Sequence, residues 1–130
     1  MEQKARPSRL ADGERNTVLA VVSDLLIEVR IEAAAQLQGA GVQTASPRDA
    51  DAMIRTVQPA LVVADLAVAG LDLTALAAAA RETGVPVVGF HPHVDVDLRR
   101  AAQSAGIAHV YARSRFLREL PKILAERLQP

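Results

Sequence analysis

The sequence predicts a doubly wound α/β fold, a five-stranded parallel sheet covered by helices on both faces in three layers. Three observations predict it. Short apolar runs rich in Val, Leu, Ile and Ala, continuous rather than alternating, recur between segments of helical periodicity, as strands buried on both faces do. Five such strand–helix units of about 20 to 25 residues follow one another, which implies a parallel sheet with right-handed crossovers. Polar residues gather where these runs end, above all in Leu61-Val62-Val63-Ala64-Asp65, whose last residue would stand at the carboxyl edge, where open α/β sheets place functional groups.

Thr17–Val22 is a continuous apolar run and gives the first strand. From Asp24 to Gln38, Ile27, Ile31, Ala34 and Ala35 share one helical face, Glu28, Arg30 and Glu32 lie off it, and Gly39 and Gly41 end the helix. Val42–Thr44 is a short second strand. Ser46 then caps a helix with Pro47 in its first turn and Asp49 at the positive end of its dipole. Ala50, Met53, Ile54 and Val57 form its buried stripe, and Pro59 stops it.

Leu61–Asp65 is the third strand, and Asp72 caps a third helix carrying Leu73, Leu76, Ala77 and Ala80, closed by Gly84. Val85–Phe90 is the fourth strand, with Pro86 near its start, where no ladder donor is needed. His91-Pro92-His93-Val94 is read as a loop. Asp95 caps a fourth helix with Leu98, Ala101, Ala102 and Ala105, ended by Gly106. Ala108–Tyr111 is the fifth strand. The last helix carries Leu120, Ile123, Leu124 and Leu128; because a proline disrupts a helix interior, its start is expected near Leu117, leaving Pro121 in the first turn.

At 130 residues the chain is long enough for one domain, expected over 17–130, with a charged, Pro- and Gly-containing tail over 1–16. Its 15 acidic and 15 basic residues cancel, which argues against a nucleic-acid surface. The three aromatics, Phe90, Tyr111 and Phe116, leave the core to aliphatic side chains. The absence of cysteine excludes disulfides and thiolate chemistry. No run approaches the roughly 20 apolar residues of a membrane span, and the start of the chain has no apolar signal region, so a cytoplasmic location is expected.

The chain resembles the receiver domain of bacterial two-component response regulators over residues 17–128. The residues that carry the resemblance are Ser23 and Asp24 after the first strand, Asp65 at the end of the third, His91 after the fourth and Arg113 after the fifth. The resemblance implies the flavodoxin-like (CheY-like) strand order 2-1-3-4-5. It also implies a phospho-acceptor at Asp65 and a magnesium ion held by Asp24 and Asp65. The chain departs from the family pattern where Ser23 replaces an acid, His91 a hydroxyl residue and Arg113 a lysine. A planar guanidinium is not equivalent to a compact ammonium, and a hard cation wants oxygen donors. The departures are those of degenerate receivers, which keep the fold and act through partners. The expectation is therefore a non-enzymatic signalling module with a protein partner and no cofactor.

Ser23, Asp24, Asp65, His91, His93, Arg113, Ser114 and Arg115 are expected to form a polar cluster at the carboxyl edge of the sheet. Arg113 is expected to pair with Asp65 or Asp24 in a buried bridge. Two other chemistries draw on the same residues. His91, His93 and Asp95 alternate along an extended segment and suit a transition metal, although Asp95 already has work as a cap. Arg113 and Arg115 at a helix N-terminus suit a small anion. Leu66-Ala67-Val68-Ala69-Gly70 is apolar for a loop, so it either folds over the sheet edge or meets a partner. A dimer is expected through the fourth helix, the fifth strand and the basic last helix, as receivers often form.

Overall fold

The computed structural model describes residues 16–92 and 95–128; the expected tail, apart from Asn16, lies outside the described residues. Five strands, β1 (Thr17–Val21), β2 (Gly41–Thr44), β3 (Leu61–Asp65), β4 (Val87–His91) and β5 (His109–Ala112), form one parallel sheet in the order β2-β1-β3-β4-β5. The helices are α1 (Leu25–Leu37), α2 (Ala50–Val57), α3 (Leu73–Thr83), α4 (Val96–Ala105) and α5 (Arg113–Arg127). A single 3-10 turn, Pro47–Asp49, leads into α2.

The strands alternate their side chains between two cores. Val18, Ala20, Leu61, Val63, Val88 and Phe90 point to the face covered by α1 and α5, where Ile27, Ile31, Phe116, Leu120, Ile123 and Leu124 meet them. Leu19, Val21, Val62, Ala64 and Val87 point to the opposite face, against Ile54, Leu76, Ala102 and Ile107. Each large aliphatic side chain buried this way stabilises the fold by about 1.5–3 kcal/mol. Phe90 and Phe116 stack with centroids 4.5 Å apart, fastening α5 to β4 near the carboxyl edge.

The helix signals act as read. The carboxylates of Asp24, Asp72 and Asp95 accept from backbone N–H groups at the starts of α1, α3 and α4, and Gly84 and Gly106 close α3 and α4 in the left-handed region. Ser46 differs: its hydroxyl donates to Asp49 Oδ2 at 2.9 Å and makes no cap bond.

The largest departure is α5, which begins at Arg113 and carries Pro121 in its interior. Proline there removes the N–H that would bond the Leu117 carbonyl. The Arg30 guanidinium of α1 donates to that oxygen at 3.0 Å instead. With the carbonyl satisfied, the buried stripe of Phe116, Leu120, Ile123 and Leu124 runs through the proline without a break.

Candidate functional site

The carboxyl edge of the sheet brings together the ends of β1, β3 and β5. In register, Val21 lies beside Ala64 and Asp65 beside Phe90. Asp24 therefore follows β1 just where Asp65 ends β3, and Arg113 opens α5 after β5.

Both oxygens of Asp24 have partners. Its Oδ1 accepts from Leu26 N at 2.9 Å and Ile27 N at 3.4 Å, and its Oδ2 accepts from Arg113 Nη2 at 2.8 Å. The Ile27 and Leu26 N–H groups and the Arg113 charge hold its carboxyl below the ordinary aspartate range. Of the two partners expected for Arg113, Asp24 is the one it takes. The bridge is not buried, as 42% of the Arg113 side chain and 37% of the Asp24 side chain remain exposed. Both groups leave from segments outside the sheet, so solvent reaches them from above.

Asp65 is half-buried at the end of β3. Its Oδ1 accepts from Ala67 N at 3.0 Å, turning the chain into the following loop. It makes no ion pair among the described residues. That loop folds over the sheet: Leu66 is buried and Val68 packs on the core, while Ala67, Ala69 and Gly70 stay exposed. Leu66 lies over Gly89 of β4 so closely that a Cβ there would meet its Cδ1 at 2.7 Å.

His91 is the last residue of β4, not the first of a loop, and only 1% of it is exposed. Strand alternation puts it on the side of Val87 and Gly89, the α4 face, whereas Asp65 shares a face with Leu61 and Val63. His91 thus lines a cavity of about 290 Å³ with Asp95, Val96 and Arg99 at the start of α4. Asp24, Asp65 and Arg113 stand at the ends of β1, β3 and β5, and His91 ends β4 at the same edge, lining this cavity.

Ser23 and Ser114 are exposed. Arg115 bonds Glu119 at 2.9 Å and stands 5.3 Å from the Tyr111 ring centre, so both candidate anion-binding guanidiniums have partners within the chain. Asp95 Oδ1 accepts from Leu98 N at 3.0 Å, the cap role, and His93 lies outside the described residues. Among the described residues no three His, Asp or Glu side chains converge in a way that holds a metal ion. The donor set does not fit the divalent cation implied by the resemblance: Asp24 Oδ2 already faces a guanidinium, and Ser23 stands where a second acid would be needed.

One pair lies outside the sequence-based expectations. Arg127 Nη2 lies 3.1 Å from His109 Nδ1 at the far edge of the sheet, and burial together with the Arg127 charge pushes the His109 imidazole below its ordinary value. The signal, a histidine opening β5, was in the sequence; its partner, 18 positions away on α5, was not.

No protein-family model matches the chain, and no curated protein sequence matches it. Solved structures do. A response regulator from Hahella chejuensis superposes with a TM-score of 0.76 at 16% identity, covering 88% of this chain and 96% of its own. A response regulator receiver domain protein (CheY-like) from Methanospirillum hungatei JF-1 gives 0.73 at 17%, covering 87% and 93%. The beryllofluoride-activated NtrC4 receiver domain dimer gives 0.66 at 21%, covering 86% and 98%. The fold is the CheY-like fold of response regulator receiver domains, with the sheet order expected from the sequence.

Proposed function

We propose that this chain is a receiver-fold signalling module that works by presenting a surface to a protein partner, without phosphorylation and without catalytic turnover. The observation that carries the reading is the Asp24–Arg113 pair, which sets a guanidinium against the carboxylate that a magnesium ion would use. Phosphoryl transfer to an aspartate in this fold depends on that ion to neutralise charge on the incoming group. Ser23, exposed beside Asp24, supplies no second charge.

A second reading, phospho-acceptance at Asp65, draws on one observation. Asp65 stands half-buried at the carboxyl end of β3 with only Oδ1 engaged among the described residues. Acetyl phosphate with magnesium, followed by intact-mass measurement, separates the two. The expected result is an unmodified chain, with no chemical-shift response to beryllofluoride. A stoichiometric phosphoryl adduct that disappears in Asp65→Asn would overturn the first reading and establish the second.

A further inference from the structure

Helix α1 is apolar on two opposite faces. Ile27, Ile31, Ala34 and Ala35 are buried against the sheet and α5. On the other side Leu26 and Leu37 are each 75% exposed, Leu25 70% and Val29 50%. Only one other large apolar side chain among the described residues is as open, Val96 of α4. A surface helix ordinarily keeps one polar face; one that is apolar all round is normally covered all round. No helix among the described residues is long and apolar enough to cross a membrane.

We infer that the outer face of α1 is a homodimer interface, in which α1 packs in parallel against α1 of a second copy about a two-fold axis running along the helices. The spacing favours a helix as occupant. Leu26, Val29, Ala33 and Leu37 follow one another at three- and four-residue steps, the seam of a two-helix pairing, with small Ala33 allowing close approach.

The charges favour a second copy, and one orientation of it. At 3.6 residues per turn, Glu32 edges the seam on one side, and it makes no ion pair among the described residues. The other edge carries Arg30, drawn towards α5 by the Leu117 carbonyl. A two-fold along the helices sets the basic edge of each copy beside the acidic edge of the other. An antiparallel pair would bring like edges together, which is unfavourable. This inference goes beyond the proposed function and does not depend on the state of Asp65.

Sedimentation velocity on the full chain across the micromolar range tests it, with circular dichroism to verify folding. A reversible monomer–dimer equilibrium is expected, with Leu26→Glu and Val29→Glu each weakening it by about tenfold or more. Because the chain has no cysteine, single cysteines report orientation cleanly. Positions 26 and 37 are about 16 Å apart along the helix, so Leu26→Cys and Leu37→Cys each form a disulfide with its own copy only in a parallel pair. A chain monomeric at high micromolar concentration overturns the inference. So does a dimer indifferent to Leu26→Glu and Val29→Glu, one lost instead on Val96→Glu, or cross-linking seen only between the two different cysteine variants.

Discussion

Arg113, the first residue of α5, grips Asp24, the N-cap of α1, through one 2.8 Å ion pair spanning 89 positions of sequence. The pair ties together the two helices that cover one face of the sheet, directly above the ends of the strands. It also makes Asp24 serve both the α1 backbone and a cation, so a metal ion would compete with the guanidinium for Oδ2.

Removing the guanidinium should therefore open the site. Arg113→Ala is expected to raise magnesium affinity about tenfold, equivalent to 1.4 kcal/mol, measured by calorimetric titration against the wild type. The stability change should be small, because the pair is open to solvent, which screens it. Unchanged affinity would mean that the bridge does not control access to the two carboxylates.

Acid should destabilise the fold in two stages. His109 is held below its ordinary value by burial and by Arg127. Its contribution is complete above the unfolded value of about 6.5 and is lost as the pH falls from there through the folded value. Asp24 is held down mainly by the Ile27 and Leu26 N–H groups, with Arg113 adding to it. Its contribution is complete above about 4 and is lost below that. Urea midpoints followed from pH 8 to 3 should lose the first stage in His109→Gln and part of the second in Asp24→Asn, the rest belonging to Glu82 and Glu119, which Arg55 and Arg115 hold below the ordinary glutamate value.

Gly89 should not tolerate a side chain. An added Cβ would come within 2.7–2.8 Å of Leu66 Cδ1, Cδ2 and Cγ, and Leu66 is buried. Gly89→Ala is expected to cost about 1–3 kcal/mol by overpacking, read from denaturant unfolding. Leu66→Ala in the same chain should recover part of that loss, which a simple effect on strand propensity would not allow.

The Arg30 and Pro121 pair offers a double-mutant cycle. Arg30→Met leaves the Leu117 carbonyl without its guanidinium donor, and a loss of about 1 kcal/mol is expected. Pro121→Ala returns a backbone N–H to that carbonyl and should raise stability by about 1–3 kcal/mol. In the Pro121→Ala background Arg30→Met should cost almost nothing, giving a coupling of about 1 kcal/mol. Additive effects would show that the 3.0 Å contact contributes no stability.

The strands, the caps at Asp24, Asp72 and Asp95 and the stops at Gly84 and Gly106 were legible because each is a local signal. Strand and helix are written in the spacing of apolar residues, and a cap is completed within about one turn. The order of the sheet followed from strand–helix alternation together with the receiver resemblance. What the sequence left open was which distant groups meet. Arg113 had two acceptable aspartates. His91 lay one strand residue from belonging to either face, and Pro121 looked like a helix boundary because its rescuer, Arg30, is 91 positions earlier in the chain. The apolar outer face of α1 was equally hidden, since composition does not say which leucines find cover. By itself, then, the sequence determined the elements and their connection, through interactions that span a few residues. Tertiary structure alone decided the ion pair, the burial of His91 and the uncovered helix face, because these depend on how separate elements pack.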